Sequence, residues 1–97
     1  MRLMFDIVIW DLEDDPDGNY RHIVDGHEVT PEEVEEVLLN EMNLTVISRS
    51  SGRPFTFGWT STGKYIGVAW ELACDDPRAV YPVTAYPVDP PKPRGGI

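Results

Sequence analysis

Residues 29–41 carry the local signal that most narrows what this chain can become. Thr30 is a good N-cap, Pro31 suits the first helical position, and Glu33 completes a capping box. Val29 and Val34 stand at the two positions of a hydrophobic staple. Val34, Val37 and Leu38 fall on one stripe, so the spacing predicts a helix over 30–41 with that stripe buried. Glu32, Glu33, Glu35 and Glu36 crowd the first turns, where carboxylates suit the positive end of the helix dipole. A helix with one apolar stripe needs a surface to bury it against, and the downstream residues supply a sheet.

Residues 54–60 alternate strictly, with Phe55, Phe57 and Trp59 set against Thr56, Gly58 and Thr60. The aromatic set is expected to be core rather than a platform for stacked bases. Residues 64–73 place Ile66, Val68, Trp70 and Leu72 on one face, and Ser61-Thr62-Gly63 turns the chain between the two runs. A hairpin of 54–60 with 64–73 follows. Before it, 44–50 reads as a strand with Leu44, Val46 and Ile47 inward, closed by Ser51-Gly52. After it, Asp75-Asp76-Pro77-Arg78 reads as a turn with proline at its second position. Residues 79–88 form the last strand. Pro82 and Pro87 each remove a ladder donor and face opposite edges, so this strand is expected to be short or bulged near one of them.

At the N-terminal end, 3–11 reads as a strand with apolar residues on both faces, hence an interior strand or one whose second face meets a partner. The run LEDDPDGN is a loop. A short helix over about 18–25 puts Tyr20, Ile23 and Val24 on one face and His22 on the other, with Gly26 to end it. The order is β-α-α-β-β-β-β. That is an α+β fold: one antiparallel sheet of four to five strands with two helices on one face. The first strand, reached through helices, is free to pair parallel with a later one.

The 97 residues make one domain, assigned to 1–88, with DPPKPRGGI (89–97) expected to be a disordered proline- and glycine-rich tail. The single cysteine, Cys74, forms no internal disulfide or zinc cluster. No apolar run approaches the ~20 residues of a membrane span, and MRLMFDIVIW lacks the cleavage site of a signal peptide. A cytoplasmic protein without a membrane partner is expected. No phosphate loop, HExxH or CxxC occurs, and no cofactor or metal is expected.

Net charge is −9, which argues against sequence-blind binding to nucleic acid. The distribution is uneven. Residues 1–43 hold 13 acids and 2 arginines, while 44–97 hold 4 acids and 6 Lys plus Arg. No acid lies between Met42 and Trp70, where Arg49, Arg53 and Lys64 are found, so these three should make a positive or neutral patch.

Asn19-x-x-His22 followed by Val29-Thr30-Pro31-Glu32-Glu33-Val34-Glu35-Glu36-Val37 resembles the front half of the BrnT-like toxins, small bacterial proteins of RelE-like fold. Gly52-Arg53-Pro54-Phe55-Thr56-Phe57-Gly58-Trp59-Thr60 is similar to that family's arginine-bearing strand, and Tyr81-Pro82-Val83-Thr84-Ala85-Tyr86 to its closing strand. The resemblance spans about residues 5–88. It implies a metal-free endoribonuclease toxin neutralised by a DNA-binding antitoxin, small and basic, that is encoded beside it, with RNA as a second partner and a homodimer left open. It further implies His22 or Tyr86 for proton transfer and Arg49 and Arg53 for the phosphate. Tyr86 stands where such toxins usually carry Arg or Lys, and Gly26-His27-Glu28-Val29 where they more often have His-Gly-Val. The alternatives are a non-catalytic protein-binding module on the same fold, or a small cytoplasmic domain of other role. On the plain reading His22 is a solvated helix residue, Arg49 pairs with the glutamate-rich helix, Arg53 belongs to a turn and Tyr86 packs as a strand aromatic.

Overall fold

The computed structural model describes residues 5–91. The end of the proline-rich tail, 92–97, and the start of the first strand fall outside them. The elements are β1 (Ile7–Val8), α1 (Asn19–His27), α2 (Pro31–Leu39), β2 (Leu44–Ile47), β3 (Pro54–Trp59), β4 (Tyr65–Asp75) and β5 (Arg78–Pro87). This is the expected α+β order. The sheet is mixed rather than purely antiparallel: strand order is β1-β5-β4-β3-β2, with β1 parallel to β5 and every other pair antiparallel.

Helix α2 begins as its sequence dictates. Glu33 N–H donates to the Thr30 hydroxyl, and Thr30 N–H donates to the Glu33 carboxylate. Val29 and Val34 are buried as a staple requires, and Val37 and Leu38 complete the stripe. These side chains meet Ile66, Val68 and Trp70 of β4, with Ile23 of α1 and Val80 and Ala85 of β5, in one core.

Several expectations are corrected. Helix α1 runs through Gly26 to His27, and Glu28, in the left-handed conformation at φ 58°, ends it. Pro77 takes the third position of its turn, not the second, because Asp75 pairs with Arg78. The first strand is an edge, not an interior strand. Among the described residues Ile7 and Val8 pair, and Val8 and Trp10 pack on the core while Ile7 turns outward. Leu72 lies outside the core, exposed to 41%. The proline argument for the last strand holds: the register slips beside Pro82, which pairs with Trp70 while Thr84 pairs with Ala69.

The largest correction concerns β3. Thr56, Gly58 and Thr60 are the buried set, and the aromatic residues point the other way. The helix-facing layer is already filled by Ile66, Val68 and Trp70, so their β3 neighbours must be small. Thr56 accepts a hydrogen bond from the Trp70 indole at 2.8 Å. Gly58 leaves room for Asn43, whose Nδ2 would lie 2.3 Å from an added Cβ. Asn43 in turn donates to the carbonyl of Val37 at 2.9 Å, tying the end of α2 to the sheet.

Candidate functional sites: an open aromatic face and a polar hollow

In-register partners and alternate residues share a sheet face. Leu44 pairs with Phe57, Val46 with Phe55, Trp59 with Tyr65, and Gly67 with both Phe57 and Tyr86. All therefore stand on the face opposite the helices, and no helix or strand among the described residues covers it. The rings form a continuous row. Phe55 and Phe57 lie 6.0 Å apart between centroids, Phe57 and Tyr65 6.5 Å, Trp59 and Tyr65 5.2 Å, and Phe55 and Tyr86 6.4 Å. Gly67 makes the floor. A Cβ there would fall 2.8 Å from the Phe57 ring, so glycine lets that ring rest on the backbone. Trp59 is 56% exposed and Leu44 64%. A shallow depression of about 280 Å³ is lined by Val46, Ser48, Phe55, Phe57 and Tyr86.

Charge on this face is nearly balanced. Arg53 donates through Nε to Glu71 at 3.0 Å. Lys64 reaches to the helix side, where its Nζ meets the carbonyl of Glu28 at 2.7 Å and the carboxylate of Glu33 at 3.2 Å. Arg49 is exposed in the turn after β2. The acid-free stretch thus produces a neutral apolar surface rather than a cationic groove. Three of the four glutamates of helix α2 bond within the fold. Glu35 accepts from the Trp10 indole, Glu36 from the backbone of Ser61, and Glu33 from Thr62 and Lys64. Burial would raise the Glu33 carboxyl, but the hydrogen bonds from Thr62, the Thr30 backbone and Lys64 outweigh it and hold the group below its ordinary value.

A second concavity, about 400 Å³, opens where β5 continues past the end of β1. It is lined by Pro16, Asp17, Gly18, Asn19, His22, Tyr81 and Val83. Its wall is a polar knot. The Asn19 side chain accepts from Asp11 N–H at 2.9 Å and donates to the carbonyls of Ile9 at 3.0 Å and Pro82 at 2.8 Å. Asp11 accepts from Asn19 N–H at 2.9 Å and from the Tyr81 hydroxyl at 2.5 Å. That last bond, with burial, pushes the Tyr81 phenol up to about 12, and it lowers the Asp11 carboxyl. Tyr81 is therefore held as a donor to Asp11 and is not poised for proton transfer near neutrality.

The four residues singled out from the sequence occupy different places. His22, exposed on α1, lines the polar hollow, and Tyr86 lines the depression on the aromatic face. Arg53 lies beside Glu71, and Arg49 lines neither concavity. The polar hollow has Asp17 in its wall and no lysine or arginine among its lining residues. Sequence reasoning missed Asp11 and Tyr81, which carry no local signature and meet only through the β1–β5 pairing. It saw the aromatic residues of β3 but assigned them to the wrong side. Comparison with protein-family models, with characterised proteins and with solved structures finds no match to this chain.

Proposed function

We propose that this chain is a non-catalytic protein-binding module whose working surface is the open face of the sheet. The observation that carries the reading is the uncovered row of Phe55, Phe57, Trp59, Tyr65 and Tyr86, flanked by Leu44 and Val46. Aromatic side chains supply large contact area and dominate the energetics of protein interfaces. The toxin–antitoxin resemblance supplies the class of partner, a small basic antitoxin-like protein. The charge agrees with it. Thirteen of the acids lie in residues 1–43, so a basic partner would be drawn to a protein whose neutral face takes its apolar anchors.

A metal-free endoribonuclease is the other reading that the resemblance implies. It needs a cation and a proton-transfer group within a few ångströms of one phosphate. His22 lies in one concavity and Tyr86 in the other, while Arg53 is engaged by Glu71, and this favours binding over catalysis. The test is to search the gene's neighbours for a small basic protein and to titrate the purified chain with it by calorimetry; a neighbourhood without such a protein removes this partner from the account. Trp59→Ala should weaken binding at least about tenfold with little change in melting, and Phe57→Ala should weaken it as much while the fold, at a modest loss of stability, is kept. Binding that survives both substitutions would remove the aromatic face from the account. In parallel, mixed RNA incubated with the chain without metal should stay intact, and cleavage abolished by both His22→Ala and Arg53→Ala would establish the enzyme instead.

A further inference from the structure

Strand β2 ends the sheet, and its outer edge pairs with no other strand among the described residues. Soluble proteins protect such edges with charges, prolines or bulges. Here residues 42–48, Met-Asn-Leu-Thr-Val-Ile-Ser, contain none of these. Leu44, Val46 and Ile47 are 64%, 42% and 65% exposed. The ladder fixes which groups face outward. Ser48 N–H donates to the carbonyl of Arg53, so 48 and 53 are a hydrogen-bonded pair. Alternation then makes Val46–Phe55 and Leu44–Phe57 hydrogen-bonded pairs as well. The N–H and C=O groups of Thr45 and Ile47 point away from β3, to the free edge.

We propose that a second copy of this chain occupies that edge, pairing β2 with β2 antiparallel about a two-fold axis at Val46. Thr45 and Ile47 of one copy then exchange backbone hydrogen bonds with Ile47 and Thr45 of the other. Val46 faces its own counterpart in a non-hydrogen-bonded pair. The segment is self-complementary in this register, and it holds no charge that a different partner would have to match. Electrostatics selects the same place. Two molecules of net charge −9 repel over most of their surfaces, and residues 43–69 are the long stretch without an acid. The product is one continuous ten-stranded sheet, two copies of the five-stranded one. Its open side joins Leu44 and Val46 of both copies to both aromatic rows. This assembly does not depend on the partner proposed above, since it uses the edge of the sheet and leaves the face uncovered.

Sedimentation equilibrium of the full chain across the micromolar to submillimolar range tests it. The wild type should show a monomer–dimer equilibrium. Val46→Lys, which sets two like charges opposite each other, should weaken it at least about tenfold while circular dichroism stays unchanged. Should that variant fail to fold, Val46→Cys in a Cys74→Ser background decides. Cα atoms of a non-hydrogen-bonded pair lie about 4.5 Å apart, within disulfide range, so mild oxidation should link two chains through Cys at 46. A wild type that remains monomeric throughout overturns the proposal. So does a dimer that survives Val46→Lys, or one that Val46→Cys does not cross-link.

Discussion

Asn19 ties the start of α1 to residues 9–11 and, far along the chain, to Pro82 of β5, and it is buried to 3% exposure. Replacing it by alanine strands the Pro82 carbonyl and the Asp11 N–H, at a cost of about 3 kcal/mol; the urea midpoint should fall accordingly with an unchanged m-value. Its neighbour Tyr81 gives a pH signature. The phenol ionises near 10 in the unfolded chain and at about 12 in the folded one. The raised value favours the neutral form in the native state, so its contribution is whole below pH 10 and is lost as pH rises towards 12. Thermal melts should show that loss in the wild type and a smaller one in Tyr81→Phe. Asp11 and Glu33 act with the opposite sign. Both carboxyls are lowered, so their contribution is present above their ordinary values of 3.8 and 4.5 and disappears as pH falls below them. None of this knot was legible in the sequence, because its members are polar residues of common type that meet only through long-range pairing.

Helix α2 was legible because its signals are local. The cap, the box partner and the staple all lie within a few residues of Thr30. Thr30→Ala should cost about 1 kcal/mol, measured by chemical unfolding. Strand β3 was legible in period but not in facing. Alternation defines two faces, and the rule that aromatic residues lie inside then chose the wrong one. What decides is steric: Trp70 and the end of α2 demand small residues at 56 and 58. Gly58→Ala tests that account. Its Cβ would displace Asn43 from the Val37 carbonyl, and stability should fall by about 2 kcal/mol. An alanine that leaves the unfolding midpoint unmoved would show that Asn43 has room to give.

For the molecule as a whole, the order of elements was readable while the order of strands was not, because local patterning cannot say that the last strand inserts between the first and the fourth. The separation of charge is readable from sequence and has a physical consequence. Acids concentrated in residues 1–43 repel one another, so added sodium chloride should raise Tm and strengthen self-association together. The parallel pairing of β1 with β5 reaches further, into how the protein is made. During synthesis β1 and α1 emerge first, yet every strand-to-strand bond of β1, and the Asn19 contact to Pro82, waits for residues near the C-terminal end. A nascent chain stopped short of residue 80 holds a meander of β2 to β4 and two helices with their closing surface missing. The ribosome must therefore nearly finish its work before the first strand has anything to bind, and nascent chains of increasing length should turn protease-resistant in one late step rather than by stages.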